Sequence, residues 1–335
     1  MVKRRGKLLV AQTVAQTPNR IDEFKPLERY ADIYWLDKMS EEEQARVLPQ
    51  IDCVYSHGWP NALDSKVSQM SSLRLYQAGN AGVNGLRFDL LGKDVVVCSN
   101  AGGYSDEVAE FAIGLMLAAG KRIVKFDRQI RAGLYERKSL DELGRQVALF
   151  KEATLGIVGY GGIGRSTARL AKAFGMKVLA FGRHPVRDAG VRLVEGKAGL
   201  TRLLRESDAV VVAVPLTNST RGMIGKKELE TMKWTATLVN VARGEVVQRE
   251  AVYNHLVRNP SFFYATDVWW PGGDGAESFS PNLPFSQLDN FVGTPHASGP
   301  SAIVNGTVGN VVVENLLQYF RGGRLKNVVD RSEYY

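Results

Sequence analysis

The chain predicts an α/β protein built from two doubly wound parallel sheets, and three observations lead there. Short apolar runs of strand length alternate with helical stretches as far as Cys98, and a second such series starts at Leu155. Between strand and helix of that second series lies the glycine-rich turn Gly159-Tyr160-Gly161-Gly162-Ile163-Gly164.

Leu8-Leu9-Val10-Ala11 and Ile33-Tyr34-Trp35-Leu36 are the first strand candidates. Ser40 followed by Glu41, Glu42 and Glu43 starts a helix, with a capping hydroxyl and acids at its positive end. Cys53-Val54-Tyr55, Leu73-Arg74-Leu75-Tyr76 and Val95-Val96-Val97 complete the first sheet. Ser105 is placed as the cap of a long helix, because Val108, Phe111, Ala112, Leu115, Met116 and Ala119 recur at helical spacing. That helix is expected to continue towards Arg131. A polar, irregular stretch from about Ala132 to Ala153 then leads into Leu155-Gly156-Ile157-Val158. No internal repeat and no low-complexity tract interrupts the pattern.

Composition narrows the function classes. With 335 residues the chain has room for two cores. No run approaches the roughly 20 apolar residues that span a bilayer, so no membrane partner is expected. Met1 to Lys7 is basic, but Leu8-Leu9-Val10-Ala11 is too short for a signal-peptide core, and a cytoplasmic location follows as the expectation. Cys53 and Cys98 both sit in apolar runs and read as buried small hydrophobes in a reducing compartment. No Cys-His spacing suits zinc, so no metal is expected. The formal charge of +8 is spread along the chain without interleaved aromatics. That distribution speaks against nucleic acid and leaves room for a small anionic ligand.

The glycine turn carries the first chemical signal. Thr154 to Val158 is a short apolar strand, Arg165 to Phe174 is helical with Gly175 as its stop, and Lys177 to Phe181 is a second strand. In this setting Gly159 allows the tight turn, Gly161 lets a pyrophosphate approach the backbone, and Gly164 permits close helix–strand packing. Gly162 and Ile163 open the helix whose N-terminus faces the anion. The motif therefore predicts dinucleotide binding. After the second strand come Phe181-Gly182-Arg183-His184, and no carboxylate appears before Asp188. An acid there would accept from ribose hydroxyls, whereas Arg183, with His184 beside it, suits a 2′-phosphate; NADP is favoured over NAD.

Further along, the sequence resembles a known family. Val239-Asn240-Val241-Ala242-Arg243-Gly244-Glu245-Val246-Val247 is similar to the Arg-bearing strand end of the D-2-hydroxyacid dehydrogenases. Val292-Gly293-Thr294-Pro295-His296-Ala297-Ser298-Gly299 is similar to their catalytic His segment. Val214-Pro215-Leu216-Thr217-Asn218-Ser219-Thr220, Asp267-Val268-Trp269 and Asn80-Ala81-Gly82-Val83 match family patterns in the same order, so the resemblance covers nearly the whole chain. It implies two Rossmann-like domains with the active site in the cleft between them. The substrate domain would combine residues 1–103 and 298–335, and residues 104–297 would bind the cofactor. A homodimer is implied too, with the helix from Ser105 contributing.

The chemistry of that family explains why these residue types are needed. Hydride transfer to a 2-oxo acid leaves negative charge on the C2 oxygen, so a proton must arrive with it. His296 suits the role of general acid and base, its unperturbed pKa lying near 6.5. Arg243 forks onto the substrate carboxylate and carbonyl. By resemblance, backbone amides at Ala81 and Gly82 bind the carboxylate and Asp267 meets the nicotinamide carboxamide. Val214, Pro215, Thr220, Val241 and Ser298 line the cofactor.

One part of the pattern breaks. The family's Glu, partner of the His, should stand five residues beyond Asp267, where this chain has Gly272. Counting back from His296 selects Glu277 instead, with Asp274 as the alternative, and a glycine-rich insertion reconciles the two counts. Trp59 is placed as a wall of a small substrate pocket, favouring glyoxylate or hydroxypyruvate. Asp267-Val268-Trp269-Trp270-Pro271 also resembles the formate dehydrogenases, although their characteristic continuation is absent. A nucleotide-sensing, corepressor-like protein on the same scaffold is the other alternative. The presence of both Arg243 and His296 argues for catalysis, since a sensor needs no proton donor.

Overall fold

Parallel strands buried on both faces should be continuously apolar, and Leu8, Leu9 and Val10 are all nearly inaccessible. They lie in β1 (Gly6–Gln12), the second strand of a five-stranded sheet. The computed structural model describes residues 6–12, 22–135, 148–183, 188–271, 283–299 and 305–334. Its chain divides into two compact units, Met1–Tyr104 with Ala302–Tyr335, and Ser105–Ser301.

In the first unit, β2 (Ala31–Trp35), β3 (Cys53–Ser56), β4 (Leu75–Ala78) and β5 (Val96–Cys98) join β1 in the order β2-β1-β3-β4-β5. Every pairing is parallel. Ser40 caps the helix Glu41–Val47 as expected, its hydroxyl accepting from the Glu43 amide at 3.2 Å. The chain returns to this unit through the helix Asn305–Arg321, whose Val312 and Leu316 are buried against Leu8, Val10 and Cys53. Both cysteines are buried and free of disulfides, and burial pushes the Cys53 thiol well above its usual pKa.

The second unit holds a seven-stranded parallel sheet in the order β12-β11-β10-β9-β6-β7-β8. Its strands are β6 (Thr154–Val158), β7 (Lys177–Phe181), β8 (Val191–Val194), β9 (Ala209–Val212), β10 (Thr237–Asn240), β11 (Phe263–Thr266) and β12 (Phe291–Gly293). The chain winds outward from β6 through β7 to β8, then crosses back to place β9 on the other side of β6. That reversal creates a switch point beyond the carboxyl ends of β6 and β9, where ligands of open α/β sheets bind.

Two expectations about the linking helix are corrected. Ser105 is its first helical residue rather than its cap, and the buried Ser105 hydroxyl makes no hydrogen bond among the described residues. The helix stops at Gly120 instead of running to Arg131, because Arg122 adopts a left-handed φ of 54° and a separate helix, Ile123–Arg131, follows. Arg122 is held there by its guanidinium, which lies 4.9 Å from the centre of the Phe263 ring. The return to the first unit comes after Ser301, not at Ser298, since the Ala297 and Ser298 amides both donate to Asp267 in the second unit. Among the described residues no helix is long and apolar enough to cross a membrane.

Candidate functional site

The glycine turn sits at the switch point, directly after β6. Gly159 has a φ of 107°, and a Cβ there would stand 2.6 Å from the Ala213 carbonyl oxygen. A Cβ on Gly164 would run into the carbonyl oxygen of Gly159, so the helix Gly162–Ala173 can lie this close to β6 only with glycine there. At Gly161 a Cβ would meet nothing within 4 Å. Two glycines are thus required by the protein's own packing, while the third faces open space. A pyrophosphate fits that cradle, with Ile163 and Gly162 in the first helical turn supplying amides. Asp106, at the start of the preceding helix, braces the same helix by accepting from Ser166 at 2.7 Å and pairing with Arg169 at 2.8 Å.

Beyond β7, Arg183 is exposed. His184 lies outside the described residues. Asp188, which looked too remote in sequence to matter, folds back to the glycine turn. It accepts from the Tyr160 hydroxyl at 2.5 Å and lies 3.4 Å from the Lys172 ammonium. Those contacts hold the Asp188 carboxyl below its usual pKa, the Tyr160 hydrogen bond first. Past β9, Val214 packs on the core and the buried Thr220 hydroxyl bridges the loop, donating to Pro215 at 2.6 Å and accepting from the Thr217 amide at 2.8 Å.

Arg243, Asp267 and His296 follow the ends of β10, β11 and β12, three neighbouring strands. In register, Asn240 pairs with Thr266 and Thr266 with Gly293, so the three residues leave the same edge of the sheet. Each is fixed by local bonds. The buried Asn240 side chain accepts from the Ala242 amide at 3.0 Å and donates to the Arg243 carbonyl at 2.9 Å, setting the turn that carries the guanidinium. Val241 is buried within that turn, and the residue after Arg243 must be glycine, because a Cβ on Gly244 would strike the Trp269 carbonyl. His296 is exposed, with a left-handed φ of 55°, a strained state for a residue other than glycine. Asp267, fully buried, pays this back with three bonds: it accepts from the Thr294 hydroxyl at 2.5 Å and from the Ala297 and Ser298 amides at 2.8 Å. The carboxylate expected to meet the cofactor thus also clamps the His296 segment, a role sequence reasoning missed. Glu277, Asp274 and Gly272, the candidates for the partner of His296, lie outside the described residues.

In the first unit, Ala81 and Gly82 follow β4 in a turn braced from two sides. Asn100 donates from its amide to the Asn80 carbonyl at 2.9 Å and from its side chain to the Gly79 carbonyl at 3.0 Å. The Asn80 side chain and the His57 Nε2 are 3.1 Å apart. Trp59 stacks on Tyr76 with ring centres 5.5 Å apart and donates to Asp64 at 2.7 Å. Its ring packs against this unit's core. Among the described residues no group of three or more His, Cys, Asp or Glu could hold a metal ion.

Known proteins place this arrangement. Residues 113–298 match the D-isomer specific 2-hydroxyacid dehydrogenase, NAD binding domain, family. A glyoxylate reductase of Aeropyrum pernix is 30% identical over 315 residues, 91% of this chain and 92% of that protein. A D-3-phosphoglycerate dehydrogenase of Archaeoglobus fulgidus is 32% identical over 298 residues, but the match covers 87% of this chain and only 54% of that longer protein. In fold, the chain superposes with a TM-score of 0.81 on a D-isomer specific 2-hydroxyacid dehydrogenase of Xanthobacter autotrophicus Py2 solved with NADPH and MES. That structure is 24% identical and the match covers 99% of this chain and 100% of the other.

Proposed function

Because the chain belongs to the D-isomer specific 2-hydroxyacid dehydrogenase family, we propose that it interconverts a small 2-oxo acid and its D-2-hydroxy acid with a nicotinamide cofactor. The observation that carries this reading is the convergence of Arg243, Asp267 and His296 on adjoining strand ends of the sheet that also bears the glycine turn. The cofactor, held at Gly159, Gly161, Gly162, Ile163 and Gly164, supplies and takes back the hydride.

His296 gives its proton to the C2 oxygen during reduction and recovers it during oxidation. Arg243 pairs with the carboxylate and stabilises charge growing on the carbonyl oxygen. The amides of Ala81 and Gly82 bind the carboxylate, and Glu277 orients the imidazole. Arg183 supports NADP as the preferred cofactor. Glyoxylate or hydroxypyruvate is the favoured substrate, supported by the name of the Aeropyrum relative, a glyoxylate reductase, with Trp59 as the wall of a small pocket. The enzyme works in the cytoplasm as a homodimer. Supporting the dimer, the helix Ile123–Arg131 buries no residue and leaves Ile123 and Ile130 more than half exposed.

The test follows loss of reduced-nicotinamide absorbance with NADPH or NADH and glyoxylate, hydroxypyruvate or pyruvate, alongside a His296→Ala variant. Oxidation that requires both an acid and His296 is expected. Cofactor binding without turnover on any acid would overturn the reading in favour of formate oxidation, checked by the gain of that absorbance with formate and NADP+ or NAD+, or of a sensor.

A further inference from the structure

We infer that the second unit holds a halide site, apart from the candidate active site, in which Arg122, Lys125 and Arg128 bind one chloride ion. The site is independent of the reading of substrate and cofactor above.

Basic residues recur at three-residue spacing from Arg122 through Lys125 and Arg128, along one side of the helix Ile123–Arg131. Arg122 is the buried one, only 7% exposed. Its Nε has no hydrogen-bond partner, and no carboxylate pairs with its guanidinium among the described residues. The Phe263 ring, 4.9 Å away, attracts the charge but offers no acceptor to the N–H groups. Burial lowers the Arg122 pKa, and Asp289 opposes that shift. A buried guanidinium in this state calls for an anion.

The room for one lies beside it. Arg122, Lys125, Arg128 and Asp289 border a cavity of about 10 Å³, closed on its other sides by apolar groups such as Ala118 and Phe291. Asp289 is spent on Lys125, at 2.6 Å. Three cations therefore face one carboxylate, and two positive charges stay uncompensated. The helix Ile123–Arg131 starts here with no side chain capping it, so its positive end adds to the same field. A space this size takes one particle of about the size of a water molecule. A sulfate or phosphate needs more room and donors around several oxygens, whereas a halide needs neither. Phe263 opens β11 and Phe291 opens β12, while Asp267 and His296 follow their other ends. The length of β11, about 10 Å, thus separates the cavity from that edge.

The test follows the chlorine magnetic resonance line width of the full chain as sodium chloride replaces sodium gluconate at fixed ionic strength. The wild type should give a saturable broadening that bromide displaces and the same concentration of sulfate does not. Arg122→Gln should weaken chloride about tenfold, because it removes the buried charge. Arg128→Gln, at an exposed position, should keep the wild-type circular dichroism and weaken chloride about threefold. Asp289→Asn should tighten chloride about threefold by removing the opposing charge. Broadening that is equal in the wild type and both arginine variants would mean an adventitious ion only and overturn the site. Displacement by sulfate at the concentration that serves for bromide would overturn the halide in favour of an oxyanion. Weaker chloride binding in Asp289→Asn would overturn the charge balance on which the site rests.

Discussion

His296 leaves β12 with a left-handed backbone, a conformation that costs a non-glycine residue roughly 1–2 kcal/mol. Such a state persists only where neighbouring bonds over-determine it, and here Asp267 supplies three of them. Both amides and the hydroxyl that donate to Asp267 belong to the five residues around the imidazole. In Asp267→Asn one carboxylate oxygen becomes an NH2 group, which cannot accept from an amide or hydroxyl. Hydrogen bonds to a charged group contribute about 1.5–3 kcal/mol, so the His296 segment should lose its fixed course. Turnover should fall by roughly 10- to 100-fold, as that range of free energy dictates, with circular dichroism unchanged. If Asp267 served the nicotinamide alone, the cofactor KM would carry the whole effect and kcat would stay. Steady-state kinetics over both ligands separate these outcomes.

At the scale of elements, the second sheet is held together at its far edge by a single buried side chain. Asn290 donates from its Nδ2 to the carbonyls of Leu256, Asn259 and Phe262 at 2.9–3.1 Å, joining the end of helix Arg249–Arg258 to the starts of β11 and β12. Asn290→Ala removes these bonds, although the Leu256 and Asn259 carbonyls still accept from the Asn259 and Phe262 amides at 3.3 and 3.2 Å; it should destabilise the second unit by about 2 kcal/mol, lowering its Tm by roughly 4–8 °C. Thermal melts followed by circular dichroism check this; a shift under about 2 °C would mean that water replaces the amide. Elements of this sheet were legible beforehand where the signal was local. The glycine turn declared itself because its spacing sits between a local strand and a local helix, and Gly164 answers to Gly159, five residues before it. The strands of the first sheet were legible as short apolar runs. The break at Arg122 was not, since the apolar spacing continues past it and the left-handed residue is fixed by a distant ring, Phe263. Asp188 is hidden for the same reason: its partner, Tyr160, lies 28 residues earlier, and spacing along the chain does not show that the two meet.

For the molecule as a whole, the pH dependence of stability follows from which groups change pKa on folding. His255, in helix Arg249–Arg258, stands edge-on to Phe262 with ring centres 4.6 Å apart, and its Nε2 is buried without a hydrogen bond among the described residues. Burial first, then Arg258, lowers its pKa below the usual value, while Glu230 opposes them. The unfolded chain, with a His pKa near 6.5, therefore takes up the proton first as the solution is acidified. Stability rises with pH wherever the unfolded state holds more protons, so this contribution is complete above about pH 6.5 and declines as pH falls towards the folded value. A second window lies lower. Asp106, with Ser166 and Arg169, and Glu206, with Arg202, have depressed carboxyl pKa values in the folded chain. Their contribution is present above the unfolded carboxylate values, about 4, and is lost as the pH falls through the folded ones. The net charge of +8 grows over the same range and adds self-repulsion. Denaturant midpoints should accordingly be level from pH 7 to 8, begin to fall as the pH drops below about 6.5, and fall again below about pH 4. His255→Gln removes the titrating group assigned to the first of these declines, so that decline should be lost while the acid limb is kept. A first decline of the same size in His255→Gln would place that proton on another residue.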